Sequence, residues 1–236
     1  MKTLGILGGM GPLASAEFLH TVYRMNITDP EQKAPACVLL SDPSIPDRTR
    51  AILEGSSDEL VAHLSRALQD LSSLGAERIV IACVTVHHFL PRVPEPLRRK
   101  VVSLIDLVIQ DVLAAPQPYL LLATAGTRAA RILEQHERWA EIEPWVVLPS
   151  REEQHELHER LYRIKKEEPD EEILDWLEGL ASRHGVGGLI FGCTELHLLH
   201  GLLARHPRRL LGKRIVDPLL VAARDLETFL ESGATF

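Results

Sequence analysis

A chain of 236 residues is long enough for one large α/β domain or two small ones, each with its own core, which excludes a staple-dependent peptide scaffold. Hydrophobic residues at 45% and charged residues at 25% match water-soluble globular proteins and exclude disorder, collagen and coiled coil. With 33 acidic against 26 basic side chains, the formal charge of -7 repels phosphate backbones and anionic lipids, so neither nucleic acid nor membrane is an expected partner.

The first apolar run, Thr3 to Leu7, enters glycines without the basic start, long apolar stretch and cleavage site of a signal peptide. It reads as a strand, and the expected location is cytoplasmic. Pro12 suits the first turn of a helix running to about Asn26. A second strand is expected at Ala36 to Leu40. Ser56 and Glu59 have capping-box spacing for a helix through Leu74, and strands follow at Arg78 to Ala82 and Val101 to Ile105. Tyr119 to Ala123 and Trp145 to Leu148 are the next two. The charged run from Arg151 to Glu172 reads as two solvated helices broken at Pro169, and Leu189 to Gly192 and Arg214 to Val216 complete the strands. Apolar strands alternating with amphipathic helices predict an α/β fold with parallel sheets buried on both faces.

A weak internal duplication divides the chain. Gly75-Ala-Glu-Arg-Ile-Val-Ile-Ala-Cys83 laid over Gly185-Val-Gly-Gly-Leu-Ile-Phe-Gly-Cys193 puts a cysteine at the end of an apolar strand in each copy, with His87 and His197 four residues on. The strand ends leading to Pro12 and Thr127 also correspond loosely. Two similar α/β domains are expected, residues 1–105 with 208–236 and residues 106–207, the segment from Arg214 onward packing back on the first.

In an open parallel sheet, ligands gather beyond the carboxyl ends of the strands, where Cys83 and Cys193 both fall. A thiol with an ordinary pKa of about 8.5 needs only modest lowering to act as a base near neutral pH. Either cysteine alone would equally be a small buried hydrophobe, and Cys37, among apolar neighbours, is expected to be one. If similar halves face each other across a cleft, the matched pair suits removal of a proton from one face of a carbon and delivery to the other, the two-base route to racemisation. With no CxxC and no zinc-ligand spacing, disulfide redox and metal ligation rank below proton transfer. Gly8-Gly9-Met10-Gly11-Pro12 offers backbone N–H groups to a carboxylate but lacks dinucleotide or P-loop spacing. Arg48 can grip a carboxylate with its planar fork. His87 and His197 can polarise their cysteines or simply hold local hydrogen bonds.

These motifs, with Ile45-Pro46-Asp47-Arg48-Thr49, Ala123-Thr124-Ala125-Gly126-Thr127 and Gly192-Cys193-Thr194-Glu195 in the same order, resemble the aspartate/glutamate racemase family along nearly the whole chain. The resemblance implies two α/β domains related by a pseudo-twofold axis, a site in the cleft between them, a homodimer, and a small amino-acid substrate. It implies Cys83 and Cys193 as the acid/base pair, without pyridoxal phosphate or metal. It also implies Met10, Arg48, Thr127 and Thr194 as substrate contacts, together with residues 84 and 85 and a lysine from the Tyr162 helix, matched to Lys166 with Lys165 one register away. One departure stands out: Val84 occupies a place where the family usually has Asn, and Thr85 follows as usual. Losing a polar partner to a charged ligand group costs about 1.5–3 kcal/mol, so aspartate specificity is not expected to carry over directly. The leading expectation is a cofactor-independent amino-acid racemase. The competitors are a single-cysteine carbon-acid enzyme of the same superfamily, such as a decarboxylase or cis–trans isomerase, and a non-catalytic carboxylate-binding protein.

Overall fold

Two parallel sheets organise the chain in a computed structural model, which describes residues 2–231. In the first, β1 (Thr3–Gly8) lies between β2 (Ala36–Ser41) and β3 (Ala76–Ile81), and a single parallel bridge from Ile79 to Val101 continues it beyond β3. In the second, β4 (Tyr119–Ala123) lies between β5 (Val146–Val147) and β6 (Gly188–Gly192), with β7 (Arg214–Val216) beyond β6. The strand order therefore repeats from one sheet to the other, with Val101 standing where β7 stands.

Helices lie between the parallel strands and after the last of them. They are α1 (Pro12–Met25), α2 (Arg48–Glu54), α3 (Asp58–Ser73), α4 (Glu95–Arg98) and α5 (Leu104–Ala114) up to β4. Then come α6 (Ala125–Ala129), α7 (Trp139–Ile142), α8 (Arg151–Ile164), α9 (Glu171–Arg183), α10 (Leu199–Arg205), α11 (Pro218–Arg224) and α12 (Leu226–Glu231). None of the described helices is long and apolar enough to cross a membrane.

Side chains along each strand alternate between two apolar layers, as the period-two geometry of strands requires. Leu4 and Ile6 of β1, Tyr119 and Leu121 of β4 and Ile190 of β6 share one central core with Phe18 and Val22 of α1, Leu107 of α5 and Leu219 of α11. The opposite faces carry Leu7, Ile79 and Ile81 onto Leu60 and Leu64 of α3, and Leu120, Leu122 and Phe191 onto Leu157, Leu161 and Leu174 of α8 and α9. Each fully buried Leu or Phe contributes about 1.5–3 kcal/mol, so the shared central layer is what holds the two sheets together.

Four expectations are corrected. Val101 to Ile105 is one bridge residue and then helix: Ser103 Oγ accepts the Asp106 N–H at 3.1 Å, and this cap turns Leu104 and Ile105 into the first turn of α5. The strand at Arg214 to Val216 pairs with β6 of the second sheet rather than returning to the first; it touches α5, and the helices after it pack on α1, α5 and β3. The capping box at Ser56 and Glu59 does not form, since α3 begins one residue later with Ser57 as its N-cap and the Ser57 hydroxyl accepts from Arg92 at 2.6 Å. A true capping box joins Ser150 and Glu153 at the start of α8. Finally, β2 is a half-exposed edge strand, not a doubly covered one.

Candidate active site

Both cysteines end up lining one small cavity between the halves. Its walls are Met10, Asp47, Arg48, Thr49, Cys83, Val84 and Thr85 from the first half and Thr124, Lys165, Cys193, Thr194 and Glu195 from the second. Cys83 follows β3 and Cys193 follows β6, the equivalent strand of the other sheet, and each is nine-tenths or more buried. Short 3-10 segments, Thr85–Arg92 and Thr194–Leu198, continue from them.

Each cysteine turn is braced on the opposite half. Thr194 Oγ1 donates to the Ala82 carbonyl at 3.0 Å. Thr85 Oγ1 lies 2.8 Å from Thr127 Oγ1 and 3.2 Å from Thr124 Oγ1, and Thr124 is the N-cap of α6. Close packing there depends on Gly126, whose missing Cβ would sit 2.7 Å from Thr49.

The histidines one turn beyond the cysteines are tethers. The Leu104 N–H donates to His87 Nε2 at 3.1 Å, so the ring proton sits on Nδ1, which donates to the Cys83 and Val84 carbonyls at 3.1 Å each. Burial holds His87 below the usual histidine pKa and keeps it neutral. His197 is fully buried, with Nδ1 donating to Asp217 Oδ2 at 2.6 Å and Nε2 meeting Thr21 Oγ1 at 3.0 Å. His200 Nε2 donates to the same carboxylate oxygen at 2.8 Å, while Asp217 Oδ1 caps α11 through the Leu219 N–H. Although burial works against it, Asp217 is held well below the ordinary carboxylate pKa by the two imidazoles. His197, His200 and Asp217 are metal-ligand types with their donor atoms within 4.8 Å of one another. Their mutual distances are those of direct hydrogen bonds, so they satisfy each other.

Charge inside the cavity is unequally shared. Arg48 begins α2, directly after the N-cap Asp47. Its Nη1 donates to the Ile45 and Pro46 carbonyls and its Nη2 to the Met10 carbonyl at 2.6 Å, while the buried Nε–H has no partner. Burial opposes the charge of Arg48, but Cys83 and Asp47 beside it win and raise its pKa. On the other side the Cys193 thiol donates to Glu195 Oε2 at 2.8 Å, and Lys165 Nζ stands 3.8 Å from Glu195 Oε1. Burial first, and the Glu195 carboxylate second, push the Cys193 thiol well above its ordinary pKa. Tyr162 joins this group from α8: Lys165 Nζ lies 4.2 Å from the centre of its ring, and its hydroxyl donates to Asp47 Oδ2 at 2.9 Å.

Of the residues expected from sequence, Met10, Arg48, Cys83, Val84, Thr85, Cys193 and Thr194 all line the cavity. Thr127 stands one layer behind, bonded to Thr85. Lys166 is exposed and points elsewhere; Lys165, the C-cap of α8, is the lysine in the cavity. The turn closing α8 decides between the neighbours, and no spacing signal in the sequence carries that information. Glu195, Asp47 and Thr124 were not singled out, although all three lie within the quoted motifs.

Solved structures share this architecture. The aspartate racemase of Picrophilus torridus superposes with a TM-score of 0.78 over 96% of this chain and 94% of its own, at 23% identity. An aspartate racemase homologue from Pyrococcus horikoshii OT3 gives 0.64 over 98% and 99%, at 24% identity. A glutamate racemase from Francisella tularensis, solved in complex with D-glutamate, gives 0.62 over 98% and 81%, at 15% identity. At such identities the likeness speaks for the fold. The family model described as Asp/Glu/Hydantoin racemase matches residues 7–226, nearly the full length, and the chain therefore belongs to that family.

Proposed function

We propose that the protein is a cofactor-independent amino-acid racemase in which Cys83 and Cys193 are the acid/base pair, acting on an acidic amino acid or a close relative. The observation that carries this reading is two cysteines from equivalent strand ends lining one buried cavity beside two cations, Arg48 and Lys165. In this reading one thiolate, Cys83, takes the α-proton. The C–H electron pair stays on the α-carbon and is delocalised into the carboxylate, while an S–H bond forms. The Cys193 thiol then gives its proton to the opposite face, which restores the C–H bond with inverted configuration and leaves a thiolate.

Arg48 and Lys165 offset the charge that builds on the substrate carboxylate in this step, Arg48 through its free Nε–H. Thr85 and Thr194 retain acceptor capacity for an ammonium group. Val84 offers no hydrogen bond beside Cys83, which favours a substrate breadth different from that of a strict aspartate enzyme. The same reading includes a homodimer and a cytoplasmic location.

The test is incubation of single-enantiomer amino acids in deuterated water, with chelator and without pyridoxal phosphate, following α-deuterium by mass spectrometry and handedness by chiral chromatography. Exchange and inversion of an acidic amino acid, both lost in Cys83→Ser and in Cys193→Ser, support it. No exchange with any amino acid overturns it, and survival of turnover in one serine variant replaces the two-base route by a single-cysteine one.

A further inference from the structure

Glu195 stands in an unusual position for a carboxylate. It is 97% buried, being 3% exposed, and its Oε2 accepts the Cys193 thiol at 2.8 Å while its Oε1 has no hydrogen-bond partner. A buried anion left half satisfied is costly, and its retention calls for a role. Gly11 makes room for it, since a Cβ at that position would lie 2.8 Å from Oε1.

We propose that Glu195 is a positioning residue that locks the proton on Cys193 through its Oε2, so that of the two singly ionised forms the two-base route uses, the one with the thiol at Cys193 predominates. The proposal rests on the two-base reading above. Its consequence is an asymmetry between enantiomers. The form with Cys83 as base accepts the enantiomer whose α-proton faces Cys83, and the mirror form accepts the other. When the competent form is only a small fraction of the protein, apparent affinity falls by that fraction, so the enantiomer facing Cys193 has the higher KM. The chemical equilibrium between enantiomers is unity, so kcat/KM must be equal in the two directions and the asymmetry appears only in KM and kcat taken separately.

The charged and titratable groups facing Cys193 are Glu195 on its own turn, Lys165 at the end of α8 and, across the cavity, Asp47, Arg48 and Cys83. Of these, only Glu195 bonds the thiol directly. Lys165 opposes it and keeps the lock releasable. After Cys193 has delivered its proton, two anions stand against each other beside the Lys165 ammonium, a form that quickly recovers a proton from water or from substrate.

The experiment titrates thiolate absorbance in a Cys37→Ser, Cys83→Ser background, where Cys193 is the remaining thiol, with Glu195 intact, Glu195→Gln and Glu195→Asp. Thiolate is expected to appear about one pH unit or more lower in the Gln variant, whereas the Asp variant, which keeps the charge, follows the parent. In the otherwise unaltered protein, Glu195→Gln is expected to lower the KM for the Cys193-facing enantiomer several-fold relative to the other. Equal titration of the Gln and parent proteins, or equal displacement by Gln and Asp, overturns the proposal. If the Gln variant does not fold, Lys165→Met provides the converse, with Cys193 ionising later than the parent, and an unchanged or earlier ionisation overturns it. The titration needs no turnover, so it separates this proposal from the racemase reading, which deuterium exchange judges alone.

Discussion

Asp217 is the most exacting place to test the reading of the second cysteine turn as an anchored element. Three donors converge on its carboxylate, His197 Nδ1 at 2.6 Å, His200 Nε2 at 2.8 Å and the Leu219 N–H at 2.9 Å, and the group is 1% exposed. Asp217→Asn keeps the shape but replaces one acceptor oxygen by an amide donor. Whichever way the amide is turned, an N–H then faces an N–H, at either the imidazoles or the cap of α11. Losing hydrogen bonds to a buried charged acceptor and leaving a buried donor unpaired costs about 3–5 kcal/mol. For a domain of this size each kcal/mol lowers the melting temperature by about 2–4 °C, so a fall of roughly 6–20 °C is expected.

The assay is urea and thermal unfolding followed by circular dichroism, from neutral to acid pH. Because the folded carboxyl titrates below its ordinary value of 3.8, its stabilisation is fully present above that pH and is lost as pH falls through the lower folded value. The difference between wild type and Asp217→Asn should therefore narrow below pH 3.8. A difference under about 1 kcal/mol at neutral pH, or one that persists unchanged into acid, would refute the view that this carboxylate anchors the turn.

Three further outcomes are expected. Lys165→Met should weaken substrate binding by about one to two decades, the loss of one charged contact, while Lys166→Met binds as wild type in calorimetry. His87→Ala leaves the Leu104 N–H and two carbonyls without their partner and should destabilise by about 2–4 kcal/mol; it should also flatten the fall in stability below pH 6.5 that a buried neutral histidine produces, since only the unfolded chain then takes up a proton. Val84→Asn should tighten aspartate binding by about a decade in the same calorimetry, and unchanged affinity would mean that position 84 does not meet the substrate amine.

The strands were legible because apolar runs ending in glycine or cysteine leave little else for them to be, and the pairing of Cys83 with Cys193 was legible because the duplicated segments carry it. What the sequence withheld was decided by contacts distant in the chain. Val101 loses its strand to a cap on Ser103, and β7 joins the second sheet because Ile190 offers an open edge to Val216. Lys165 enters the cavity and Lys166 does not because one residue of rotation separates them at the end of α8. Glu195 was hidden in a matched motif: a glutamate two residues past a cysteine announces nothing until its burial and its bond to the thiol are seen.

The path of the final segment has a mechanical consequence. The chain builds the whole of the first sheet, then the whole of the second with β7 as its last strand, and returns α11 and α12 onto α1, α5 and β3. The first half is thus completed from the far end of the chain, and a cut near residue 116 would leave the N-terminal fragment without the two helices that only the C-terminal fragment supplies. Unfolding should accordingly proceed as one event, with loss of the cavity and loss of the sheets sharing a single midpoint.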